Sequence, residues 1–468
     1  MSDPLPRPLL KALSDIFGDA LLTDAVAIHG YGTDNSRRHA TPQAVVLPQQ
    51  ASQVQALVRL CREHRVAVTA RGRGTSTTGA PVPVAGGVVV SFEHMDAIVR
   101  IAPDDRLAVV EPGVLNGALQ QALVPHGMFW PPDPTSAPYS TVGGNLACNA
   151  GGPGSVKYGS AREHVLALVA VTGTGDRIRC GAPTTKDSSG YDLVRLLVGS
   201  EGTLALIVEA TLKVQARPQG RRALRALYRD VGAAAAAVAR VMAQPVLPCA
   251  LEFMDGEAVR LARERGGAEL AEAGALLMIE VDGSGPALEA ALQAVRSAAD
   301  GPGVVALEEA VDEREREALW AARRALSPAL RSLRAGKINE DVVVPVSRLP
   351  ELVHRLGALA AEYRVPIVNF GHAGNGNLHV NILFDPDDAG ERERAARCLP
   401  RVFDTVLSLQ GTLSGEHGIG AAKRPFMAQA FDPPTLAAMR SIKQAFDPDG
   451  ILNPGKVLPD AWTDADRG

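Results

Sequence analysis

Apolar and polar residues alternate in a way that predicts strands and helices from residue 42 onward. The apolar run Ala44–Leu47 ends at Pro48 and indicates a short strand. Four apolar residues then recur at the helical spacing i, i+3, i+4 and i+7: Val54, Leu57, Val58 and Cys61. This spacing predicts a helix that begins near Ser52. Further strands are predicted at residues 65–70, 88–91, 107–110, 166–171 and 204–208.

The composition changes near Arg217-Pro218, and longer helical patterns follow. Helices are predicted at 232–243, 286–299, 313–334, 350–364 and 395–410, and strands at 275–281, 341–345, 366–371 and 378–384. This alternation favours a second α+β domain. We therefore predict boundaries at 1–217, 218–410 and 411–468. The Pro- and Asp-rich stretch 432–457 is expected to run along the surface.

The composition is that of a folded protein. Of 468 residues, 46% are hydrophobic and 21% charged, which excludes a disordered chain. A net charge of −4 argues against nucleic-acid binding. No apolar run reaches the ~18 residues of a membrane helix, and the N-terminus lacks the basic-then-apolar order of a signal peptide. The five cysteines form no C-x-x-C pair, which argues against a disulfide framework, a zinc ribbon or an iron–sulfur cluster and favours a reducing cytoplasm.

The predicted strand 65–70 runs into a loop rich in glycine and hydroxyl groups, residues 71–79. Backbone N–H groups of such a loop bind phosphate oxygens. The loop fits neither the G-x-G-x-x-G pattern nor the lysine-containing Walker loop. Three more polar loops follow at 131–136, 141–152 and 199–203. Each alone is compatible with an ordinary turn, but together they indicate a large polar cofactor with a pyrophosphate group.

Two histidines flank a predicted hairpin. The segment 367–382 reads as strand, glycine turn and strand, which places His372 and His379 close together across the ladder. Strand alternation puts His379 and Asn381 on one face. The turn Ser414–Gly420 adds Glu416 and His417. Two histidines and a carboxylate are typical of an open metal site; the alternative is that each histidine is structural.

The motifs of the first half resemble a flavoprotein superfamily. In order, RGRGTSTTG, EPGV, PPDPTS, TVGGNLACNAGG, KYGSAREHV and VGSEGTLALI are similar to the FAD-binding domain of the vanillyl-alcohol oxidase/p-cresol methylhydroxylase superfamily. The resemblance implies an α+β fold: a two-subdomain FAD-binding domain (1–217), an α+β substrate (cap) domain (218–410) and a short C-terminal segment (411–468) that returns to the flavin.

This resemblance also implies which residues bind FAD. Residues 71–76 would bind the pyrophosphate. The full set of implied cofactor-binding residues is Arg71, Gly72, Arg73, Gly74, Thr75, Ser76, Pro132, Asp133, Ser136, Gly143, Gly144, Asn149, Gly152, Ile207 and Asn453. Some members tether the flavin through a histidine in the glycine loop. Thr75 and its neighbours include no histidine, so non-covalent FAD is expected.

The second half resembles the FAD-linked D-2-hydroxyacid dehydrogenases, which include D-lactate, D-2-hydroxyglutarate and glycolate enzymes. The likeness rests on FGHAGNGNLHVNI and SGEHGIG and extends over most of 218–457. It implies that His372, His379 and Glu416 bind a divalent metal, zinc or manganese, and that His417 is the base. Asn375 stands where the family often has Asp, but it lies in the turn and is not an assigned ligand. Asn339 stands where the hydroxyglutarate enzymes tend to carry Lys, so the exact substrate stays open.

The implied reaction is oxidation of a small D-2-hydroxy acid, with hydride transfer to FAD and proton transfer to His417. Arg323 is the candidate clamp for the substrate carboxylate, with a solvated helix arginine as the alternative. Asn381 completes the candidate catalytic residues. Lys337 and Arg324 are weaker candidates for a second carboxylate.

Three rival functions are open at this point: an oxygen-using 2-hydroxyacid oxidase, a zinc hydrolase with incidental nucleotide binding, and a non-catalytic flavin module. The expected electron acceptor is an electron-transferring flavoprotein, a quinone or a cytochrome, and a homodimer is a family-level expectation. All of this requires that segments some two hundred positions apart meet, so that an imidazole-held cation faces the isoalloxazine ring.

Overall fold

The computed structural model describes residues 4–265 and 270–459. Its strands, in chain order, are β1 (Leu21–Leu22), β2 (Ala44–Val46), β3 (Val68–Arg71), β4 (Val88–Ser91), β5 (Ile98–Ala102), β6 (Leu107–Val110), β7 (Met128–Phe129), β8 (Val165–Thr172), β9 (Arg177–Gly181), β10 (Ala205–Lys213), β11 (Gln215–Ala216), β12 (Gly220–Tyr228), β13 (Ala250–Asp255), β14 (Ala275–Gly283), β15 (Val304–Glu309), β16 (Gly336–Val343), β17 (Ile367–His372) and β18 (Asn377–Phe384).

Its α-helices, in chain order, are α1 (Arg7–Phe17), α2 (Ala25–His29), α3 (Ala51–Glu63), α4 (Asn116–Leu123), α5 (Val142–Cys148), α6 (Ser155–Tyr158), α7 (Leu193–Leu197), α8 (Val231–Ala243), α9 (Gly256–Arg265), α10 (Gly285–Ala299), α11 (Glu313–Leu333), α12 (Leu349–Tyr363), α13 (Ala389–Ser408), α14 (Met427–Ala430) and α15 (Pro433–Phe446). In the described part of the chain, no helix combines the length and the apolar character needed to cross a membrane.

The chain divides into two compact units. The first consists of residues 1–151, 159–217 and 416–468, and the second of residues 152–158 and 218–415. The outer ends of the predicted first domain and of the predicted C-terminal segment, residues 1–3 and 460–468, lie outside the described residues.

A four-stranded sheet in the first unit carries the glycine loop. Its order is β1-β2-β4-β3, and β2, β4 and β3 run parallel. Helix α3 packs against it through the four residues at helical spacing, all fully buried with Val46, Val68 and Val88 in one core. The predicted helix is therefore confirmed, with its first residue at Ala51.

A five-stranded antiparallel sheet, β5-β6-β10-β8-β9, completes the first unit's framework. Successive side chains of a strand point to opposite faces. In β8, Val169 and Val171 join the core of the four-stranded sheet, whereas Leu168 and Ala170 join a second core. Burial of both faces explains the unbroken apolar run there. The predicted strand 204–208 is confirmed, but β10 continues to Lys213.

The prediction that 432–457 runs along the surface is confirmed for most of residues 432–450 and is wrong for residues 451–453, which are buried. Asp432 accepts a hydrogen bond from the Thr435 N–H and starts α15, in which the two leading prolines occupy the first helical positions, where no N–H is needed. Beyond the helix, Leu452 is fully buried and the Asn453 N–H donates to the Val68 carbonyl. Proline and aspartate here mark a helix start and a return to the core.

The second unit is built on a seven-stranded antiparallel sheet of order β15-β12-β14-β13-β17-β18-β16. The helices and strands that the sequence predicts for residues 218–410 are confirmed, but one helix and one strand begin earlier than predicted. Helix α13 begins at Ala389, because Asp388 caps the Gly390 and Glu391 N–H groups. Strand β16 begins at Gly336, because its polar residues pair with β18, Asn339 opposite Asn381.

Helices cover both faces of this sheet. Met254, Met278 and Phe370 share one core with residues of α9 and α11. Phe253, which alternation places on the other face, lies beside residues of α8 and α12. Glu252 and Met254 are two residues apart in β13, so Glu252 lies on the α9 and α11 face.

Candidate active site

The hairpin of β17 and β18 carries the two histidines predicted to bind metal. His372 ends β17, and Phe370 pairs with His379 across the ladder. The ring centroids of His372 and His379 lie 5.3 Å apart with their planes at 84°, and both side chains are buried. The predicted proximity of the two imidazoles is confirmed.

The turn of this hairpin depends on one glycine. Residues Ala373–Asn375 form a 3₁₀ turn, and Gly376 follows with a φ of +73°. A Cβ atom at Gly376 would lie 1.9 Å from the Val344 carbonyl oxygen, a backbone atom. Both the left-handed conformation and the close approach exclude a side chain.

Replacing Gly376 by alanine is therefore expected to lower the free energy of unfolding by about 2–4 kcal/mol, since backbone strain adds to a steric clash. Chemical denaturation followed by circular dichroism measures this loss. Gly357→Ala is the matched control, because Gly357 lies inside α12 with nothing within 4 Å of the added Cβ. Equal stability of the two variants would show that the turn tolerates a side chain.

Asp341 anchors the loop that leads to Glu416. Its carboxylate accepts hydrogen bonds from the Ser414 hydroxyl (2.8 Å), the Gly415 N–H (2.9 Å) and the Asn377 amide (2.5 Å). Asp341 is fully buried in β16. The residues just before Glu416 are thus fastened to the strands that carry the hairpin.

Three potential metal ligands come together at this point. One ligand atom from each of His372, His379 and Glu416 lies within 4.8 Å of the other two. Two imidazole nitrogens and one carboxylate oxygen form a donor set that suits zinc or manganese. The side chains present therefore fit a divalent cation.

Glu252 supports one of these histidines. Its Oε1 lies 2.5 Å from His372 Nδ1, so Nε2 is the nitrogen through which His372 would bind a cation. Burial alone would raise the pKa of Glu252, but His372 and Arg323 lower it to about 2. Sequence analysis missed Glu252. Its signal was a single acidic residue within the apolar run Ala250–Met254.

Arg323 lies beside Glu252 rather than in solvent. Its Nε donates to Glu252 Oε2 at 3.0 Å, and its guanidinium carbon is 4.5 Å from the centroid of the Phe370 ring. Its two terminal amino groups have no hydrogen-bond partner within residues 4–265 and 270–459. Those two groups would suit a substrate carboxylate.

The other polar candidates nearby have protein partners. The Asn381 amide oxygen accepts from Asn339 Nδ2 (2.7 Å), and its Nδ2 donates to the carbonyls of Val368 and His379. Asn381 is fully buried, so these bonds position the hairpin. Arg324 is exposed and pairs with Glu317, and Lys337 faces Leu383 in the β16–β18 ladder.

His417 follows Glu416 and lies next to the glycine loop of the first unit. Its Nε2 is 3.9 Å from Glu416 Oε1, and its backbone carbonyl accepts from Thr78 Oγ1 at 3.3 Å. The Ala421 N–H also donates to the Thr78 carbonyl. Segments more than three hundred positions apart therefore meet within this unit.

Glu201, in the loop 199–203, holds the same turn from another side. Its carboxylate accepts from the Ile419 N–H (2.7 Å) and the Gly420 N–H (2.8 Å). Burial raises the pKa of Glu201 to about 7, although these two N–H groups act in the opposite direction. Glu201 thus fixes the backbone just after His417.

The glycine loop and the segment 141–152 each contain a glycine that is packed too closely for a side chain. A Cβ atom at Gly72 would lie 2.4 Å from Thr141 Oγ1, and one at Gly143 would lie 2.5 Å from Pro112 Cβ. Thr77 Oγ1 is buried and, among the described residues, has no hydrogen-bond partner. A bare backbone beside a buried hydroxyl that lacks a partner fits a large anionic cofactor such as FAD.

Two predicted cofactor-binding arginines already have protein partners. Arg71 donates to the carbonyls of Thr33 (2.7 Å) and Gly30 (3.2 Å), and its guanidinium fills the space beside Gly74. Arg73 is more exposed and lies 3.4 Å from Glu93. Ser76 accepts the Asn35 N–H through its carbonyl, and the Thr75 carbonyl accepts from the Asn35 side chain.

The remaining predicted cofactor residues are spread over both units. Most lie in the first unit: Pro132, Asp133, Ser136, Gly143, Gly144, Asn149, Ile207 and Asn453. Gly152 belongs to the second unit. Asn149 accepts from Ser160 and Arg162, and the Asn453 amide donates to the carbonyls of Ala80 and Glu201. These two side chains fix loops of the first unit.

Comparison with known proteins identifies the cofactor class. Residues 42–181 match the family "FAD binding domain", and residues 217–457 match "FAD linked oxidases, C-terminal domain". The chain is 38% identical over 418 residues to glycolate oxidase subunit GlcD of Bacillus subtilis (strain 168), covering 89% of each chain. It is 34% identical over 477 residues to D-2-hydroxyglutarate dehydrogenase of Stutzerimonas stutzeri (strain A1501), covering 98% of this chain and 100% of the relative.

A solved structure shows the same fold. The crystal structure of p-cresol methylhydroxylase with substrate bound matches with a TM-score of 0.82 at 17% identity, over 98% of this chain and 97% of the other. The predicted α+β architecture of the p-cresol methylhydroxylase type is confirmed. The family matches exclude the zinc hydrolase alternative, because they cover both halves of the chain. This chain belongs to the family of FAD-linked oxidases and is an FAD-dependent oxidoreductase.

Proposed function

We propose that this protein oxidises a D-2-hydroxy acid, D-2-hydroxyglutarate or D-lactate, to the 2-oxo acid and passes the hydride to FAD. The observation that carries the proposal is the cluster of His372, His379 and Glu416, with His417 next in the chain. Two similar proteins are named for glycolate and D-2-hydroxyglutarate, and both compounds are 2-hydroxy acids.

The three clustered side chains would hold a divalent cation, zinc or manganese. A bound cation lowers the pKa of a coordinated hydroxyl group, which prepares the substrate for loss of its proton. Asp341 keeps the segment before Glu416 in place through the Ser414 hydroxyl and the Gly415 N–H. Two buried carboxylates therefore hold the ligand set: Asp341 fixes the segment before Glu416, and Glu252 contacts His372.

His417 would take the hydroxyl proton, because histidine is the side chain that most often serves as a general base in enzymes. Thr78 donates to the His417 carbonyl, and Glu201 accepts from the N–H groups of Ile419 and Gly420, so the backbone that follows the His417 Cα is fixed. Arg323 would bind the substrate carboxylate through its two terminal amino groups. FAD, when bound, accepts the hydride from the substrate carbon.

FAD would be held without a covalent bond. The loop 71–79 offers backbone N–H groups and hydroxyls, and its sequence has no histidine to serve as a tether. Residues 71–76 would bind the pyrophosphate, with Thr77 as an additional hydroxyl. The C-terminal segment would return to the flavin through His417 and Asn453.

Electrons would leave the reduced flavin to a separate acceptor: an electron-transferring flavoprotein, a quinone or a cytochrome. The alternative is an oxygen-using oxidase, which the name of the Bacillus subtilis relative favours. That relative is named as a subunit, so a partner subunit is a further route for the electrons.

An anaerobic screen tests the function directly. The flavoprotein is mixed with D- and L-2-hydroxy acids of increasing length, and bleaching of the flavin absorbance is followed. We expect bleaching by a D-enantiomer and not by its L-enantiomer. A flavin that no 2-hydroxy acid reduces would overturn the proposed substrate class. Mixing the reduced protein with oxygen then separates a slow dehydrogenase from a fast oxidase.

A further inference from the structure

Three charged or polar side chains form a row in the second unit, each from a different element; two of them are buried and Arg323 is half-buried. His372 comes from β17, Glu252 from β13 and Arg323 from α11. The two carboxylate oxygens of Glu252 are divided between its neighbours: Oε1 is 2.5 Å from His372 Nδ1, and Oε2 is 3.0 Å from Arg323 Nε. One carboxylate therefore contacts a metal-ligand candidate and a substrate-clamp candidate.

The row is built into the fold. Glu252 and His372 are direct partners in the β13–β17 ladder, which fixes the distance between them. Glu252 is 1% exposed, and a buried carboxylate is tolerated when it is paired on both oxygens. Phe370 lies beneath the guanidinium of Arg323 at 4.5 Å and holds its plane.

We propose that Glu252 is a positioning residue that orients the cation ligand His372 and the substrate clamp Arg323 at once. The inference rests on the proposed function. A hydrogen bond from Nδ1–H to the carboxylate turns Nε2 toward the cation. Engagement of Nε by the same carboxylate turns the two terminal amino groups of Arg323 outward, where they match a carboxylate in bidentate geometry.

A neighbouring glutamate provides the comparison that isolates this role. Glu280 on β14 is also buried, and it pairs with Arg316 and with the indole N–H of Trp320. In the described part of the chain, no hydrogen bond or ion pair joins Glu280 to His372 or Arg323. Glu280→Gln therefore removes an equally buried charge from the same sheet without touching the row.

The test is equilibrium binding of Zn²⁺ and of Mn²⁺ to the metal-free, FAD-loaded protein, measured by competition with a chromophoric chelator. Glu252→Gln keeps the side-chain shape but has a single acceptor oxygen. We expect its cation affinity to fall about 10–100-fold, and the affinity of Glu280→Gln to stay within about threefold of the wild type. At saturating cation, the KM for the hydroxy acid should rise in Glu252→Gln and not in Glu280→Gln.

Each outcome bears on a different claim. Failure of the wild type to bind either cation would overturn the metal part of the proposed function. If the wild type and Glu252→Gln bind the cation equally tightly, the positioning role of Glu252 is overturned, and the metal part of the proposed function stands. Glu252→Asp serves if the glutamine variant does not fold: it keeps the charge, but it is one methylene too short to contact both partners. Unchanged cation affinity in that variant would also reject the inference.

Discussion

Replacing His417 by alanine is expected to slow the reduction of FAD by the hydroxy acid about 10²–10⁴-fold, the usual contribution of a positioned general base. The protein should keep its flavin and its fold. The Thr78 hydroxyl contacts the His417 backbone carbonyl, and Glu201 contacts the backbone of Ile419 and Gly420. Alanine retains all of these backbone atoms. Stopped-flow absorbance under anaerobic conditions measures the rate.

His354→Ala is the matched control for this variant. His354 is an exposed residue of α12. The flavin of the His354→Ala variant should be reduced by the hydroxy acid at the wild-type rate. The cation content of both variants must equal that of the wild type, since His417 adjoins Glu416 in the chain. Unimpaired reduction in His417→Ala with cation bound would remove His417 as the base.

Removing the cation should have an effect of similar size. Treatment with a chelator is expected to lower turnover about 10³-fold, because a hydroxyl group without a cation keeps a high pKa and resists loss of its proton. The flavin absorbance should remain, since the glycine loop belongs to the first unit and makes its own contacts there. Turnover and metal content are measured on the same samples.

Restoration with Zn²⁺ or Mn²⁺ identifies which cation supports the reaction. His379→Ala should show the same loss without a chelator, because it removes one of three clustered ligands. Full activity in a preparation shown to be free of metal would contradict the metal assignment. It would leave His417 and Arg323 to activate the substrate by themselves.

Local patterns predicted much of the fold and part of the site. The spacing of Val54, Leu57, Val58 and Cys61 predicted α3, because burial of one helix face imposes that period. The glycine turn between His372 and His379 predicted the hairpin, because a short turn fixes which residues face each other. In both cases the residues concerned lie at most seven positions apart, from Val54 to Cys61 and from His372 to His379.

Residues that act across the fold were not predictable in this way. Glu252 is 120 positions from His372, and Asp341 is 74 positions from Gly415. Nothing near either acid in the sequence shows which group it will meet. The end of the segment 432–457 was misjudged for a related reason: its composition is that of a surface, but the burial of Leu452 depends on a strand almost four hundred positions earlier.

The sequence by itself determined the chemistry available to this protein: the glycine and hydroxyl loop, the histidine hairpin and the Glu416-His417 turn are local patterns, set by spacing and by backbone preference. The tertiary structure decided which hydrogen-bonding and ionic partners each buried carboxylate has. It paired Glu252 with His372 and Arg323, and Glu201 with the backbone after His417. Such pairs arise because a buried carboxylate must find its partners wherever the packing of strands and helices brings them.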